Sequence, residues 1–225
     1  MKQDFQGQVA IITGAATGIG FEIAKQMVKR GGKVVINDVE AVALNQAIER
    51  LNKSDKNAIG ILGDASQPAS IQKLIIAAKH QFGQLNIVIA NAGITTFGRF
   101  LDYTPEQFDN LIQLNLKASF FLAQSASQLM IEQKIGGSIL LMSSVTGVQA
   151  HENLVAYGMT KAALRMLAKS LVVELSPYKI CVNAIAPGAT LTERTLDDQD
   201  YEQTWSKITP LGKPANTQDI AHAAL

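Results

Sequence analysis

Tyr157 and Lys161 stand four residues apart in the run Tyr157-Gly158-Met159-Thr160-Lys161, so on a helix they share one face, one turn apart. Leu164, Ala168, Leu171 and Leu175 continue that face, which marks it as the buried one. A phenol and an ammonium on a buried stripe need a reason. A lysine cation beside a tyrosine favours the phenolate and lowers a pKa that starts near ~10. A tyrosine tuned in this way can exchange a proton with an alcohol or carbonyl near neutral pH. The same spacing also suits a structural tyrosine and a lysine whose stem lies along the surface, so the elements that position the pair must decide.

Those elements alternate. An apolar run at residues 9–12 reads as a buried strand and passes into Thr13-Gly14-Ala15-Ala16-Thr17-Gly18-Ile19-Gly20, which opens an amphipathic helix to about residue 30. Glycines in such a turn allow a tight bend, a close backbone approach to phosphate and close helix packing. The free N–H groups and positive dipole end of the helix favour an anion. A second strand, residues 33–37, leads to Asp38, 18 residues after Gly20. In a dinucleotide fold an acid there meets the ribose hydroxyls and repels a 2′-phosphate, which argues for NAD over NADP; Glu40 is a competing acid nearby.

A polar helix (41–52), a strand (58–63) ending at Asp64-Ala65, a helix (68–82) and a strand (86–90) running into Asn91-Ala92-Gly93 follow. The pattern implies a single domain over residues 1–225, an α/β fold with a doubly wound parallel sheet. Ligands then bind at the carboxyl ends of the strands, where Asp64 and Asn91 lie. Residues 105–133 read as one long helix in which Asn115 interrupts an apolar stripe of Phe108, Leu111, Ile112, Ser119 and Leu122; a buried amide there needs partners, whatever its role. A strand at 138–142 ends in Ser143-Ser144, and a sixth at 180–185 is followed by Ala186-Pro187-Gly188. The polar segment from 189 to 214, with the lone Trp205, is long for a connection and suits a lid beside a substrate. His151, between strand and helix, reads first as an ordinary loop histidine, with contact to substrate as the alternative.

Composition sets outer bounds. The chain has 225 residues, 47% hydrophobic and 17% charged, enough for one real core. A formal charge of +1 offers no case for nucleic acid or an anionic membrane. No apolar run approaches the ~20 residues of a membrane span, and the polar start, residues 1–7, lacks a signal peptide's apolar core. Cys181 is the single cysteine, so neither a disulfide framework nor a cysteine metal site is expected. Its apolar surroundings suggest a buried small hydrophobe. These features point to a cytoplasmic protein.

Taken together, the motifs resemble the short-chain dehydrogenase/reductase family, in its TGxxxGxG and YxxxK branch. The match runs through the glycine turn, Asp64, Asn91-Ala92-Gly93, Asn115, Ser144, Tyr157, Lys161 and Pro187-Gly188. Ser144 stands 13 residues before Tyr157, the family's usual spacing, which selects it over Ser143. The resemblance implies Tyr157 as general acid/base. Lys161 would lower its pKa and hold the nicotinamide ribose, Ser144 would bond the substrate oxygen, and Asn115 would position a relay water. It implies a cofactor site built from Gly14, Thr17, Gly18, Ile19, Gly20, Asp38, Asp64, Ala65, Asn91, Ala92, Gly93, Tyr157, Lys161, Pro187, Gly188 and Thr192, with no metal. The reaction implied is hydride transfer between NAD(H) and a secondary alcohol or ketone.

The alternatives are a 3-oxoacyl-carrier-protein reductase using NADPH and a non-catalytic nucleotide-binding protein on the same fold. Ala15, Ala16 and Asp38, where such reductases often carry a basic residue, count against the first. The intact set of Asn115, Ser144, Tyr157 and Lys161 counts against the second.

Two departures stand out. Ala90 replaces the first asparagine of the family's NNAG. Beyond Thr217-Gln218-Asp219-Ile220-Ala221 the sequence stops at Leu225, where family members continue through a seventh strand, so the sixth strand is expected at a sheet edge. Around the substrate, Thr95, Thr96, Phe97, Val145, Gln149, His151, Leu154 and residues 190–205 are the expected wall. A homo-oligomer, dimer or tetramer, is expected through the two long helices, with Phe121, Met130, Met166 and Val173 facing outward.

Overall fold

In the computed structural model, which describes residues 3–53 and 55–225, the short apolar runs pair in parallel into one sheet. Residues 1 and 2 of the polar start lie outside the described residues. The strands are β1 (Val9–Thr13), β2 (Lys33–Asp38), β3 (Ala58–Leu62), β4 (Ile87–Ala90), β5 (Gly137–Met142) and β6 (Ile180–Ile185), in the order β3-β2-β1-β4-β5-β6. Strand order reverses between β1 and β4, the point at which an open α/β sheet leaves a crevice at its carboxyl edge. Ile11 of β1 sits opposite Val35 of β2 and Val88 of β4.

Side chains alternate across this sheet and build two cores. Ile11, Val35, Val88 and Ile139 pack with α3 (Pro68–Phe82), α5 (Ser119–Gln133) and α6 (Val155–Leu175). Ala10, Ile12, Ile36 and Ile89 pack on the other face with α1 (Gly18–Lys29), α2 (Ala41–Leu51) and α8 (Thr217–Ala224). Full burial of each such isoleucine contributes on the order of 1.5–3 kcal/mol. The expected doubly wound architecture is the observed one, with element ends shifted by a residue or two.

The structure departs from the sequence reading at several places. Residues 105–133 are helical throughout but not uniformly so. α4 (Pro105–Ile112), opened by a capping box between Thr104 and Gln107, passes into a π-helical stretch, Gln113–Ala118, before α5. The wider turn keeps both flanks helical, so hydrophobic spacing does not reveal it, and such turns are common at functional positions. Met130, expected on the outer face, is wholly buried against Gly137 and the β4–β5 core; Phe121, Met166 and Val173 are exposed as expected.

Cys181 is exposed rather than buried. Ile180 and Val182 alternate onto the α6 face, so Cys181 points the other way, on a strand with one neighbour among the described residues. The 189–214 segment is also more ordered than a plain loop. β7 (Thr190–Leu191) pairs with β8 (Ala215–Asn216), and α7 (Tyr201–Ile208) lies between them. Asn216 then caps α8 through a reciprocal pair of 2.9 Å bonds with Asp219.

Candidate active site

The glycine turn is locked from behind. Gly14 has φ +58°, and a Cβ there would come within 2.9 Å of Ala92 Cα; a Cβ on Gly20 would meet Asn91 Nδ2 and Gly14 O at 2.6 Å. Only glycine permits this approach of β1 and α1 to the end of β4. Asn91 Nδ2 donates to Thr13 O (2.9 Å) and Gly14 O (2.8 Å), while Thr13 Oγ1 accepts from the amides of Asn91 and Ala92. The Asn91 side chain therefore shapes the turn, in addition to bordering the cleft in front of it.

That cleft, about 450 Å³, is bordered by Gly14, Thr17, Gly18, Ile19, Asp38, Asp64, Ala65, Asn91, Ala92, Gly93 and Thr192, all anticipated from sequence. Asp38 is fixed there. Its Oδ2 accepts from Ala16 N (3.1 Å) and its Oδ1 from Val39 N (2.8 Å) and Glu40 N (3.3 Å). Asp64 closes a tight turn, accepting from Ser66 N and Ser66 Oγ at 2.8 Å each. Asn37, Glu193 and Arg194 also border the cleft; Asn37 was not singled out, and Glu193 and Arg194, in the 190–205 segment, were expected beside substrate rather than here. Asn37 is buried and donates to Ile61 O and Gly63 O, tying the ends of β2 and β3. An asparagine beside a strand-end acid was the one signal for it in the sequence.

A second cavity of about 250 Å³ holds the chemistry-bearing groups. Ser144, Tyr157, Lys161, Pro187 and Gly188 line it, with Thr95, Thr190, Thr195 and Tyr201. Ile19, Asn91, Gly93, Ile94, Thr192 and Arg194 border both spaces, so the two adjoin along a shared wall. Tyr157 and Lys161 lie one turn apart on α6, as their spacing requires. The Lys161 ammonium stands 5.5 Å from the centroid of the Tyr157 ring and donates to Met142 O at 2.8 Å. Lys161 is only 5% exposed, and this burial lowers its pKa to about 8.

The two serines after β5 are told apart by their partners. Ser143 Oγ donates to Lys161 O (2.7 Å), fastening α6 to β5; Ser144 Oγ accepts from Thr146 N (3.2 Å) and keeps its own proton available. Asn115, fully buried in the π-helical stretch, accepts from Ile94 N (2.8 Å) and donates to Ile94 O (2.9 Å) and Thr160 Oγ1 (3.3 Å). Thr160 Oγ1 in turn donates to Tyr157 O at 2.8 Å. Asn115 thus joins the strand-end loop to the helix carrying Tyr157, and its oxygen keeps one lone pair spare.

Of the residues expected around substrate, Thr95 lines the cavity, as do Thr190, Thr192, Arg194, Thr195 and Tyr201 of the 190–205 segment, whereas Thr96, Phe97, Val145, Gln149, His151, Leu154 and Trp205 do not. Phe97 is 68% exposed. His151 meets Trp205 at a tilt (6.4 Å between centroids, 56° between planes), and Trp205 also meets Tyr201 (6.0 Å). The hydroxyl of Tyr201, within the 190–205 segment expected beside substrate, accepts from Thr190 N at 3.2 Å; burial raises its pKa above the ordinary value, and the nearby Asp198 and Tyr157 add to the rise.

Comparison with known proteins agrees with this geometry. The short chain dehydrogenase family model matches residues 8–203. An L-rhamnose-1-dehydrogenase from Scheffersomyces stipitis is 34% identical over 226 residues, covering 97% of this chain and 88% of the relative. Versicolorin reductase 1 of Aspergillus parasiticus is 34% identical over 233 residues, covering 96% of this chain and 87% of the relative. A crystal structure of a short-chain type dehydrogenase/reductase from Mycobacterium marinum superposes with a TM-score of 0.93 at 29% identity, covering 99% of this chain and 88% of that one. The chain belongs to the short-chain dehydrogenase family and is an NAD(P)-dependent oxidoreductase acting on CH–OH donors. No helix among the described residues is long and apolar enough to cross a membrane.

Proposed function

We propose that the protein moves hydride between NAD(H) and a secondary alcohol or ketone, with Tyr157 as the proton-transferring group. The observation that carries this reading is the shared wall. Tyr157, Ser144 and the buried Lys161 face one cavity that adjoins the glycine-turn cleft along Ile19, Gly93 and Thr192. The cleft suits a dinucleotide: Gly14 and Gly20 pack the turn tightly on the end of β4, α1 begins there, and Asp38 presents a fixed carboxylate. Gly18, Ile19 and their neighbours would hold the pyrophosphate, Asp38 the adenosine ribose, Lys161 the other ribose, and Thr192 and Pro187-Gly188 the far end. The nicotinamide, when bound, takes or supplies the hydride.

The chain's own groups manage the proton and the substrate oxygen. In oxidation the Tyr157 oxygen removes the hydroxyl proton, and in reduction it returns that proton to the carbonyl oxygen. Ser144 Oγ donates to the same oxygen and holds it in place. The Lys161 ammonium, 5.5 Å from the centroid of the Tyr157 ring and anchored on Met142 O, places a positive charge beside the proton-transferring group. Asn115, with its spare lone pair, positions a water that connects the site to solvent. Asp38 supports NAD over NADP, because a 2′-phosphate would meet its carboxylate. The segment 189–214, through Thr190, Thr195 and Tyr201, forms the substrate side, and assembly into at least a dimer uses the exposed faces of α5 and α6.

A panel of secondary alcohols and ketones, read by NADH against NADPH absorbance, tests the reading and identifies the substrate. On the substrate so found, Tyr157→Phe is expected to cut turnover by about 10²–10⁴-fold. NADH affinity and melting temperature should hardly change, since a phenyl ring fills nearly the same volume. Near-normal turnover in Tyr157→Phe ends the mechanistic proposal.

A further inference from the structure

The first amide of α1 already has an anionic partner. Gly18 N donates to Glu193 Oε2 at 2.8 Å, across 175 residues of chain. Thr17, the residue before the helix, provides no side-chain cap. Glu193 takes that place with a full negative charge at the positive end of the helix dipole. Its position is set by a short turn, Glu193–Thr195, in which Thr192 N donates to Thr195 Oγ1 at 2.8 Å. The residues on either side, Thr192 and Arg194, border both the glycine-turn cleft and the substrate cavity.

The amides that open α1 are also where a dinucleotide's pyrophosphate would find its donors. One N–H cannot serve a carboxylate and a phosphate at full strength together, and the two anions repel. Glu193 is exposed, so an entering anion can displace it into water without burying a charge.

Resting on the proposal that the cleft takes NAD(H), we infer that Glu193 is an internal competitor of the cofactor's phosphates. It fastens the 192–195 turn to the glycine loop and weakens dinucleotide binding, and the pyrophosphate must displace it. Glu193 thereby sets how tightly the cofactor is held and how readily it leaves. The inference does not depend on the chemistry assigned to Tyr157.

Isothermal titration calorimetry with ADP, NAD and adenosine, on wild type, Glu193→Gln and Glu193→Ala, provides the test. Glu193→Ala is expected to bind ADP and NAD about three- to tenfold more tightly, as removal of one exposed charge-assisted contact allows. Glu193→Gln, which keeps an acceptor but not the charge, is expected to show part of that gain. Adenosine, which carries no phosphate, should bind all three proteins alike, and a single cooperative melt in each, lowered only by the few degrees that a lost cap costs, shows that the variants fold. ADP affinity in Glu193→Ala that is equal to or below wild type overturns the inference alone, as does an equal gain with adenosine. Absence of any ADP or NAD binding in every protein overturns the cofactor proposal along with it.

Discussion

Replacing Lys161 with methionine is expected to stabilise the fold while disabling it. The ammonium is buried, and its pKa falls from the ordinary 10.5 to about 8 because burial disfavours the charged form. At neutral pH the group remains protonated, so the folded chain carries a proton that its surroundings resist. At 1.36 kcal/mol per pKa unit, that difference amounts to about 3 kcal/mol. Methionine has a similar length and no charge, so it removes this cost. It also deletes the bond to Met142 O, a loss of about 1 kcal/mol. The balance is about 2 kcal/mol in favour of the variant, or a rise of about 4–8 °C in melting temperature for a chain of this size.

The pH dependence fixes the sign of this effect. Between about 8 and 10.5 the unfolded chain binds more protons at Lys161 than the folded one, so wild-type stability rises with pH through that window. The advantage of Lys161→Met is therefore full below pH 8, shrinks through the window and above it reverses to a deficit of about 1 kcal/mol, the lost bond to Met142 O. Calorimetric melts of nucleotide-free protein at pH 7 and pH 10 measure it, alongside turnover and NADH affinity, both of which should fall. A variant that melts below wild type at pH 7 would refute the argument, because the charge would then be contributing stability.

Two further outcomes are expected. Asp38→Ala should narrow the preference for NAD over NADP by about tenfold or more through the lost repulsion, and should also weaken NAD itself because Asp38 braces the glycine turn at Ala16 N; tighter binding of NADP than NAD by wild type would contradict the reading of this residue. Phe121, Met166 and Val173 leave apolar side chains exposed on α5 and α6, at 38%, 63% and 78%. Light scattering at micromolar concentration should therefore give at least a dimer, and Val173→Asp should shift it toward monomer.

Much of this was legible in the sequence because the signals were local. Val9 to Ile12 had to be a strand buried on both faces, and the glycine pattern directly after it fixed where α1 begins. The four-residue spacing of Tyr157 and Lys161 carried over unchanged to α6. What sequence spacing could not convey was set by partners far along the chain. The π-helical turn around Asn115 follows hydrogen bonds to Ile94 and Thr160, and helical periodicity is blind to it. Glu193 looks like a loop acid until the fold brings it to Gly18. Met130 and Cys181 were misjudged for one reason: a helix face or strand face is inside or outside according to what packs on it. Gly137 and β4 receive Met130, whereas nothing described covers Cys181.

The two-residue ladder between β7 and β8 has a practical consequence. Ala215 N donates to Ala189 O at 2.9 Å, and Thr190 and Leu191 pair with Ala215 and Asn216, so both ends of the excursion are clipped together before α8 begins. Residues 192–214 are thus a cassette with a fixed doorway, carrying one wall of the cavity that Ser144, Tyr157 and Lys161 also line, while those three stay at the end of β5 and on α6. Exchanging the cassette for one of another length would change the entropy of closure only slowly, by about 0.6 kcal/mol per doubling. On the proposed function, substrate range is open to redesign by grafting between Thr195 and Ala215, which keeps Thr192, Glu193 and Arg194 at the glycine-turn cleft and leaves Ser144, Tyr157 and Lys161 untouched.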